Sequence, residues 1–178
     1  MAELREVLTK EEKTVLVKAV TPCLQCGICT SSCPPARFTD PKLYFSPRLL
    51  ASEILKDNLD YLAKSETIWR CFLCFECVNL CPHSVPLPDI ILRLREYALT
   101  RGLSKKIYDV LQGPIENLIK TGAIFPFGRI NLRKFIGLPS TTELPEESLK
   151  KLKRIFEETG FKSFVDKLKL TYKNLDKV

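Results

Sequence analysis

The chain has 178 residues, 45% apolar and 28% charged, enough for one ordinary domain or a small domain with an extension. Its formal charge of +7 is one-sided: residues 1–100 hold 12 basic and 12 acidic side chains, and residues 101–178 hold 16 and 9. No stretch approaches the ~20 apolar residues of a membrane helix, and Met1-Ala2-Glu3-Leu4-Arg5-Glu6 lacks the apolar run of a signal peptide, so we expect a cytoplasmic protein without a membrane span.

In chain order, Thr9-Lys10-Glu11-Glu12 has the form of a capping box. The helix it opens is expected to reach about Ala19, burying Val15, Leu16 and Ala19, with Thr21-Pro22 ending it. Next comes Cys23-x2-Cys26-x2-Cys29-x3-Cys33-Pro34. Pro34-Pro35 leads the chain away, Asp40-Pro41 makes a turn, and Ser46-Pro47 combines an N-cap with proline at the first helical position. That helix should run to about Lys56 and bury Leu49, Leu50 and Ile54. A shorter one is expected over Leu59–Lys64, leading through Trp69 to the second run, Cys71-x2-Cys74-x2-Cys77-x3-Cys81-Pro82.

Pro88 then starts a helix running to Arg101 with Gly102 as its stop. Ile90, Ile91, Leu94, Tyr97 and Ala98 form one face, and Arg93, Glu96 and Arg101 lie off it. Ser104 can cap a further helix, kinked or broken at Gly113-Pro114 and ended at Gly122. Residues 122–144, including Phe125-Pro126-Phe127-Gly128 and Ile136-Gly137-Leu138-Pro139, are apolar but studded with breakers, so they must lie against the core or a partner. Pro145-Glu146-Glu147 opens a last strong helix to Thr159 with acids at its positive end, and residues 163–172 add a final amphipathic turn or two. No period-2 alternation of apolar residues is visible. The expected fold class is therefore mainly α, with a core over residues 1–102 and a helical extension over 103–178 serving as a partner-docking region.

The two runs contain all eight cysteines, each 48 residues after its counterpart. C-x2-C-x2-C-x3-C-P is the spacing with which a chain wraps thiolates around a cubane iron–sulfur cluster. Each cubane takes four thiolates, so eight cysteines suit two [4Fe–4S] clusters. Three closely spaced cysteines cover one face of a cube, while the fourth, before proline, points away and in two-cluster ferredoxins ligates the other cluster. The expected sets are Cys23, Cys26, Cys29 and Cys81 for one cluster, and Cys71, Cys74, Cys77 and Cys33 for the other. Zinc prefers paired C-x2-C knuckles and fits two triplets badly; a disulfide framework does not suit a reducing compartment. Each loaded site adds about −2, which brings the chain to about +3 and weakens any case for nucleic-acid binding.

The surroundings of the two runs differ. Gln25, Gly27, Thr30, Ser31 and Ser32 are small or polar and can hydrogen-bond to sulfur, and Gly27 permits close approach of the backbone. The second run is sheathed by Trp69, Phe72, Phe75 and Val78. Burial disfavours the more negative reduced state, so the Cys71/Cys74/Cys77/Cys33 cluster is expected at the lower potential, with Arg70 opposing the difference. His83 is expected as a structural group or cluster neighbour. No catalytic constellation or nucleotide fingerprint is present, and no cysteine is left for thiol chemistry. The chain reads as an electron relay.

Cys23-x2-Cys26-Gly27-x-Cys29-Thr30-x-Ser32-Cys33-Pro34, Ile68-Trp69-x-Cys71-x2-Cys74, Cys81-Pro82 and Asp89-Ile90-Ile91-Leu92-Arg93-Leu94-Arg95-x2-Ala98 resemble the C subunit of heterodisulfide reductase. Gly137-Leu138-Pro139 with Thr141-Thr142, and Thr159-Gly160-Phe161, look like that family's C-terminal extension. The resemblance implies an α-helical ferredoxin carrying two [4Fe–4S] clusters. It would pass electrons between an A subunit with flavin and iron–sulfur centres and a B subunit with Cys-Cys-Gly sequences and the thiol/disulfide active site. Phe72-Leu73 and Phe75-Glu76 depart from the polar residues usual there, which leaves open reduction of the coenzyme M–coenzyme B heterodisulfide or a related sulfur-oxidising complex. The alternatives are a free-standing two-cluster ferredoxin, which would not need the residues after Cys81, and an iron–sulfur subunit of another respiratory dehydrogenase.

Overall fold

The structure is a computed structural model that describes residues 8–38, 40, 42, 44–125, 128–138 and 144–175. Pro41, Pro126, Phe127, Pro139, Thr141 and Thr142, on which several of the expectations above rest, lie outside those residues. The described residues form helices and turns without a strand. They divide into two compact units, Met1–Leu103 and Ser104–Val178.

In the first unit, α1 spans Lys10–Val20, and its capping box is formed: Thr9 Oγ1 accepts from the Glu12 N–H, and Glu12 Oε2 accepts from the Thr9 N–H. Its inner face is Leu16, Val17, Ala19 and the fully buried Val20. Val15 is 65% exposed, a correction to the expected face. The stripe that continues into buried Val20 leaves position 15 on the opposite side. Two contacts fix this helix in the core. Asp60 takes Lys13 Nζ at 2.7 Å and the Leu8 N–H at 3.3 Å, and Tyr97 Oη donates to Glu12 Oε1 at 2.5 Å.

After the first run, which carries the one-turn helix α2 (Ile28–Ser31), a 3₁₀ turn spans Pro34–Arg37. Helix α3 (Pro47–Leu55) is capped by Ser46, whose Oγ accepts from the Leu49 N–H at 3.3 Å, with proline at the first helical position. Pro47, Leu50, Ala51 and Ile54 are buried, whereas Leu49 is 54% exposed. That corrects the expected burial of Leu49, which neighbours Leu50 but points a hundred degrees away around the helix. Helix α4 covers Leu59–Lys64, followed by a 3₁₀ turn at Glu66–Arg70 that the sequence did not announce. The second run holds the one-turn helix α5 (Glu76–Asn79), and α6 (Leu87–Thr100) closes the unit with Ile90, Ile91, Leu94 and Ala98 buried and Tyr97 partly so. The cysteine runs thus lie on a core of α1, α3, α4 and α6, and α2 packs against α5.

The second unit begins with α7 (Lys105–Thr121), which is continuous through Gly113-Pro114, so of the expected kink or break there is no break. Gly113 and Val110 are exposed there, so the carbonyl that proline leaves without a donor is reached by water. Gly122 ends the helix at φ 80°, and Asn117 Nδ2 caps it through the Ala123 carbonyl at 2.7 Å. A short helix α8 (Ile130–Phe135) lies in the breaker-rich segment and was not foreseen. Helices α9 (Glu146–Glu158) and α10 (Phe161–Leu175) complete the unit, α10 being longer than the expected turn or two. Its core holds Val165, Leu168 and Tyr172, with the Tyr172 ring stacked on Tyr108 at 4.1 Å.

Candidate metal centre

The 48-residue repeat of the sequence is also a repeat of backbone conformation. Gln25 and Leu73 occupy the left-handed region at φ 56° and 53°, and Gly27 and Phe75 do so at 84° and 61°. In each half, the residue after the second cysteine starts a one-turn helix that carries the third. Thr30 and Ser31 donate their N–H groups to the Gly27 carbonyl, and Val78 and Asn79 do the same to Phe75. The fourth cysteine closes each turn: Cys33 N–H bonds Thr30 O at 3.3 Å, and Cys81 N–H bonds Val78 O at 3.1 Å. Pro34 and Pro82 then direct the chain out of the turn.

The eight sulfurs are gathered in one region of the first unit, around two cavities. Cys23, Cys26 and Cys29 line the first with Cys81 and Cys77, together with Gly27, Arg48 and His83. Cys33, Cys71, Cys74 and Cys77 line the second, walled by Pro35, Phe45, Phe72, Phe75, Pro88 and Ile91. The fourth cysteine of each run therefore stands at the cavity of the other run. Among the described residues, no three His, Cys, Asp or Glu side chains converge on a point that could hold a single metal ion. A lone zinc would need its sulfurs about 2.3 Å away. Five cysteines around the first cavity and four around the second, with Cys77 common to both, suit bulkier clusters, and the donor set is all thiol, as in cubane iron–sulfur centres.

Burial pushes the Cys29, Cys33 and Cys71 thiols up from their ordinary value, and pushes Cys77 up to about 12, with the neighbouring cysteines adding to the rise. Without metal these thiols keep their protons, so iron must displace them on loading. The middle cysteines, Cys26 and Cys74, are exposed, and Cys33 is buried. Each site thus has one edge near the surface.

The sequence-predicted neighbours divide three ways. Gly27 lines the first cavity; Phe72 and Phe75 line the second but are 60% and 41% exposed, so they form its outer lip rather than a closed sheath. Trp69 stands behind the site, partly buried against the core, with Arg95 Cζ 5.2 Å from its ring. Arg70 donates to the Tyr44 carbonyl at 3.1 Å. Gln25 Nε2 lies 3.4 Å from Cys23 Sγ, and the Leu73 N–H lies at the same distance from Cys71 Sγ. Thr30 is a hub: its Oγ1 accepts from the Arg48 N–H at 3.1 Å, contacts Ser46 Oγ at 3.1 Å and reaches Cys29 Sγ at 4.0 Å. Arg95 was named from the sequence only within the resemblance motif, and neither it nor Arg48 was given a role at the site. Arg95 follows buried Leu94 on α6, and an arginine beside an apolar stripe was the available signal.

Fold and site together define an α-helical ferredoxin-type iron–sulfur protein, and the family model described as a 4Fe-4S dicluster domain matches residues 19–85. The chain is 31% identical over 170 residues to the iron–sulfur C subunit of the CoB–CoM heterodisulfide reductase of Methanopyrus kandleri, covering 93% of this chain and 83% of that protein. It is likewise 31% identical over 151 residues to the C subunit of the H2:CoB-CoM heterodisulfide,ferredoxin reductase of Methanothermobacter marburgensis, covering 80% and 76%. The C subunit of a ferredoxin:CoB-CoM heterodisulfide reductase of Methanosarcina acetivorans matches at 38% over 100 residues, 56% of this chain and 38% of that protein. The chain belongs to the family of heterodisulfide reductase C subunits. No helix among the described residues is long and apolar enough to cross a membrane.

Proposed function

We propose that the chain holds two [4Fe–4S] clusters, one on Cys23, Cys26, Cys29 and Cys81 and the other on Cys33, Cys71, Cys74 and Cys77. The observation that carries this reading is the exchange of the fourth cysteine between the two cavities. When bound, the clusters accept and release single electrons. The residues of the chain do the rest. The turns at Gly27 and Phe75 aim the third cysteine of each run inward, Pro35, Phe45, Pro88 and Ile91 keep water from the second site, and the Thr30–Ser46 pair braces α3 against the first run.

The chain serves as a cytoplasmic electron-transfer subunit between an A-type subunit with flavin and iron–sulfur centres and a B-type subunit with Cys-Cys-Gly sequences. It supplies no catalytic centre itself. One partner docks where Cys26 nears the surface beside the exposed Leu24 and Ile28, the other where Cys74 does so beside Phe72 and Phe75. The extension from 103 to 178, with Phe135 and Ile136 exposed at 86% and 57%, anchors the complex. The relatives' names specify the CoB–CoM heterodisulfide, and that is the substrate proposed for the assembly.

Anaerobic purification of the full chain with its neighbours tests this reading. Eight iron and eight sulfide per chain, and co-purification with a flavoprotein and a Cys-Cys-Gly protein, are expected. Four iron per chain would refute the two-cluster assignment, and a chain without those partners would refute the relay. Activity of the complex on a thiol or persulfide but not on the heterodisulfide would overturn the substrate. In addition, Cys81→Ser should alter the spectrum of the cluster built on Cys23, Cys26 and Cys29, and Cys33→Ser that of the other.

A further inference from the structure

Arg95 lies on α6, half-buried behind the second run. Its Nε and Nη2 donate to the Ile68 carbonyl at 3.0 and 2.8 Å, and Nη2 also donates to the Cys71 carbonyl at 2.6 Å. The guanidinium covers the Trp69 ring on its other side. The Nε and Nη2 donors are therefore engaged, and by neutral carbonyls. Among the described residues, no Asp or Glu forms an ion pair with it, and Cys71, whose carbonyl it holds, is the ionisable residue it touches. A guanidinium taken partly out of water without a counter-ion is costly. The arrangement becomes balanced when Cys71 is a thiolate, which is its state as a cluster ligand.

We infer that Arg95 is the counter-charge of the site built on Cys33, Cys71, Cys74 and Cys77, and that it raises the reduction potential of that site alone. The inference rests on the two-cluster reading above. Reduction adds one negative charge, which a fixed cation nearby stabilises. The position 48 residues before Arg95 is Pro47, so the first half of the repeat has no equivalent group. Arg48 lines the first cavity but is exposed, and solvent and salt screen an exposed charge. Arg95 is held by three hydrogen bonds and a ring, so its charge stays fixed while the cluster cycles. It is a positioning residue for charge: it also orders the Ile68 and Cys71 carbonyls that lead into the run.

The test is a redox titration of the full chain, loaded anaerobically and followed by electron paramagnetic resonance, with iron and sulfide counted first. Arg95→Gln should lower one midpoint and leave the other in place. At fixed ambient potential the reduced-to-oxidised ratio of that cluster should fall about tenfold, which is about 59 mV for a one-electron couple. Arg95→Lys, which keeps the charge, should retain most of the wild-type midpoint. Two loaded clusters with neither midpoint moved in Arg95→Gln would overturn the inference, as would an equal shift in Arg95→Lys. If Arg95→Gln does not load, Leu92→Glu is compared with Leu92→Gln. Leu92 is 44% exposed and three residues before Arg95 on the helix, so a carboxylate there offsets the guanidinium with its hydrogen bonds intact, and the two variants are compared at low ionic strength, where an exposed charge is least screened. A lower midpoint in Leu92→Glu supports the inference and an unchanged one overturns it. Fewer than eight iron in the wild-type chain would instead refute the two-cluster reading, whatever the midpoints.

Discussion

Replacing Gly27 by alanine should lower the stability of the loaded core by about 1–2 kcal/mol without preventing cluster assembly, the cost of placing an L-residue in the left-handed region. Gly27 sits at φ 84°, ψ −1°. The added Cβ would meet only Arg48 Cδ, at 3.8 Å, which is ordinary van der Waals contact, so no steric penalty adds to the backbone term. Phe75 occupies the matching place in the second half at φ 61°, ψ 2°, and shows that the turn can be made with a side chain present. At about 4–8 °C per kcal/mol for a unit of this size, the melting temperature should fall by about 4–16 °C. The assay is loss of the visible cluster absorbance on heating under anaerobic conditions at one scan rate, with iron and sulfide measured beforehand. Failure to load would refute the reasoning, since it would mean that bare backbone must touch the cluster. An unchanged melting temperature would refute it as well, since the left-handed turn would then not be required.

Thr30→Val copies the second half into the first, because Val78 is the matching residue; the Arg48 N–H then loses its acceptor, and a loss of about 1–3 kcal/mol in thermal stability of the loaded chain is expected. The Glu12 carboxyl is held below the ordinary carboxylate value of 4.5, chiefly by the Tyr97 hydroxyl and then by Thr9. Its contribution is therefore present above 4.5 and lost as pH falls through the lowered value. Tyr97→Phe should weaken protection of α1 amides from hydrogen exchange at neutral pH, and the difference from wild type should shrink as the pH is taken below 4.5. In the second unit, Gly122→Ala would put a Cβ 2.3 Å from Leu144 Cδ1 at φ 80°. It should destabilise that unit by at least about 1 kcal/mol, seen as faster proteolysis after α7, while both cluster spectra stay unchanged.

The site was legible because its information is local. Eight cysteines at one spacing, repeated 48 residues on and each run closed by proline, point to the cofactor class from the sequence alone. Helices with strong stripes, such as Ile90, Ile91, Leu94 and Ala98, were equally plain. Other helix faces were less so: Val15 and Leu49 are apolar yet exposed, because the stripes that reach the core run through Val20 and Leu50. The left-handed Leu73 and Phe75 could not be foreseen from composition, which favours glycine or asparagine there; only the register with Gln25 and Gly27 reveals them. Arg95 escaped because its partners are main-chain carbonyls 24 and 27 residues away, and carbonyls leave no mark in a sequence. The unbroken α7 shows the same limit, since tolerance of Pro114 depends on water reaching the freed carbonyl.

The placement of Cys81 at the cavity of the first run, and of Cys33 at that of the second, also bears on how the chain is filled. With the ligands proposed above, the first cluster to enter joins Cys29 to Cys81 across the whole middle of the core, or Cys33 to Cys71 within it. Either event removes most of the loop-closure entropy that the second would otherwise face. Loading should then be cooperative, with empty and full chains predominating over half-filled ones. Decay should follow the same rule in reverse: an oxidant that destroys one cluster also releases a ligand loop of the other, so a single lesion empties both sites.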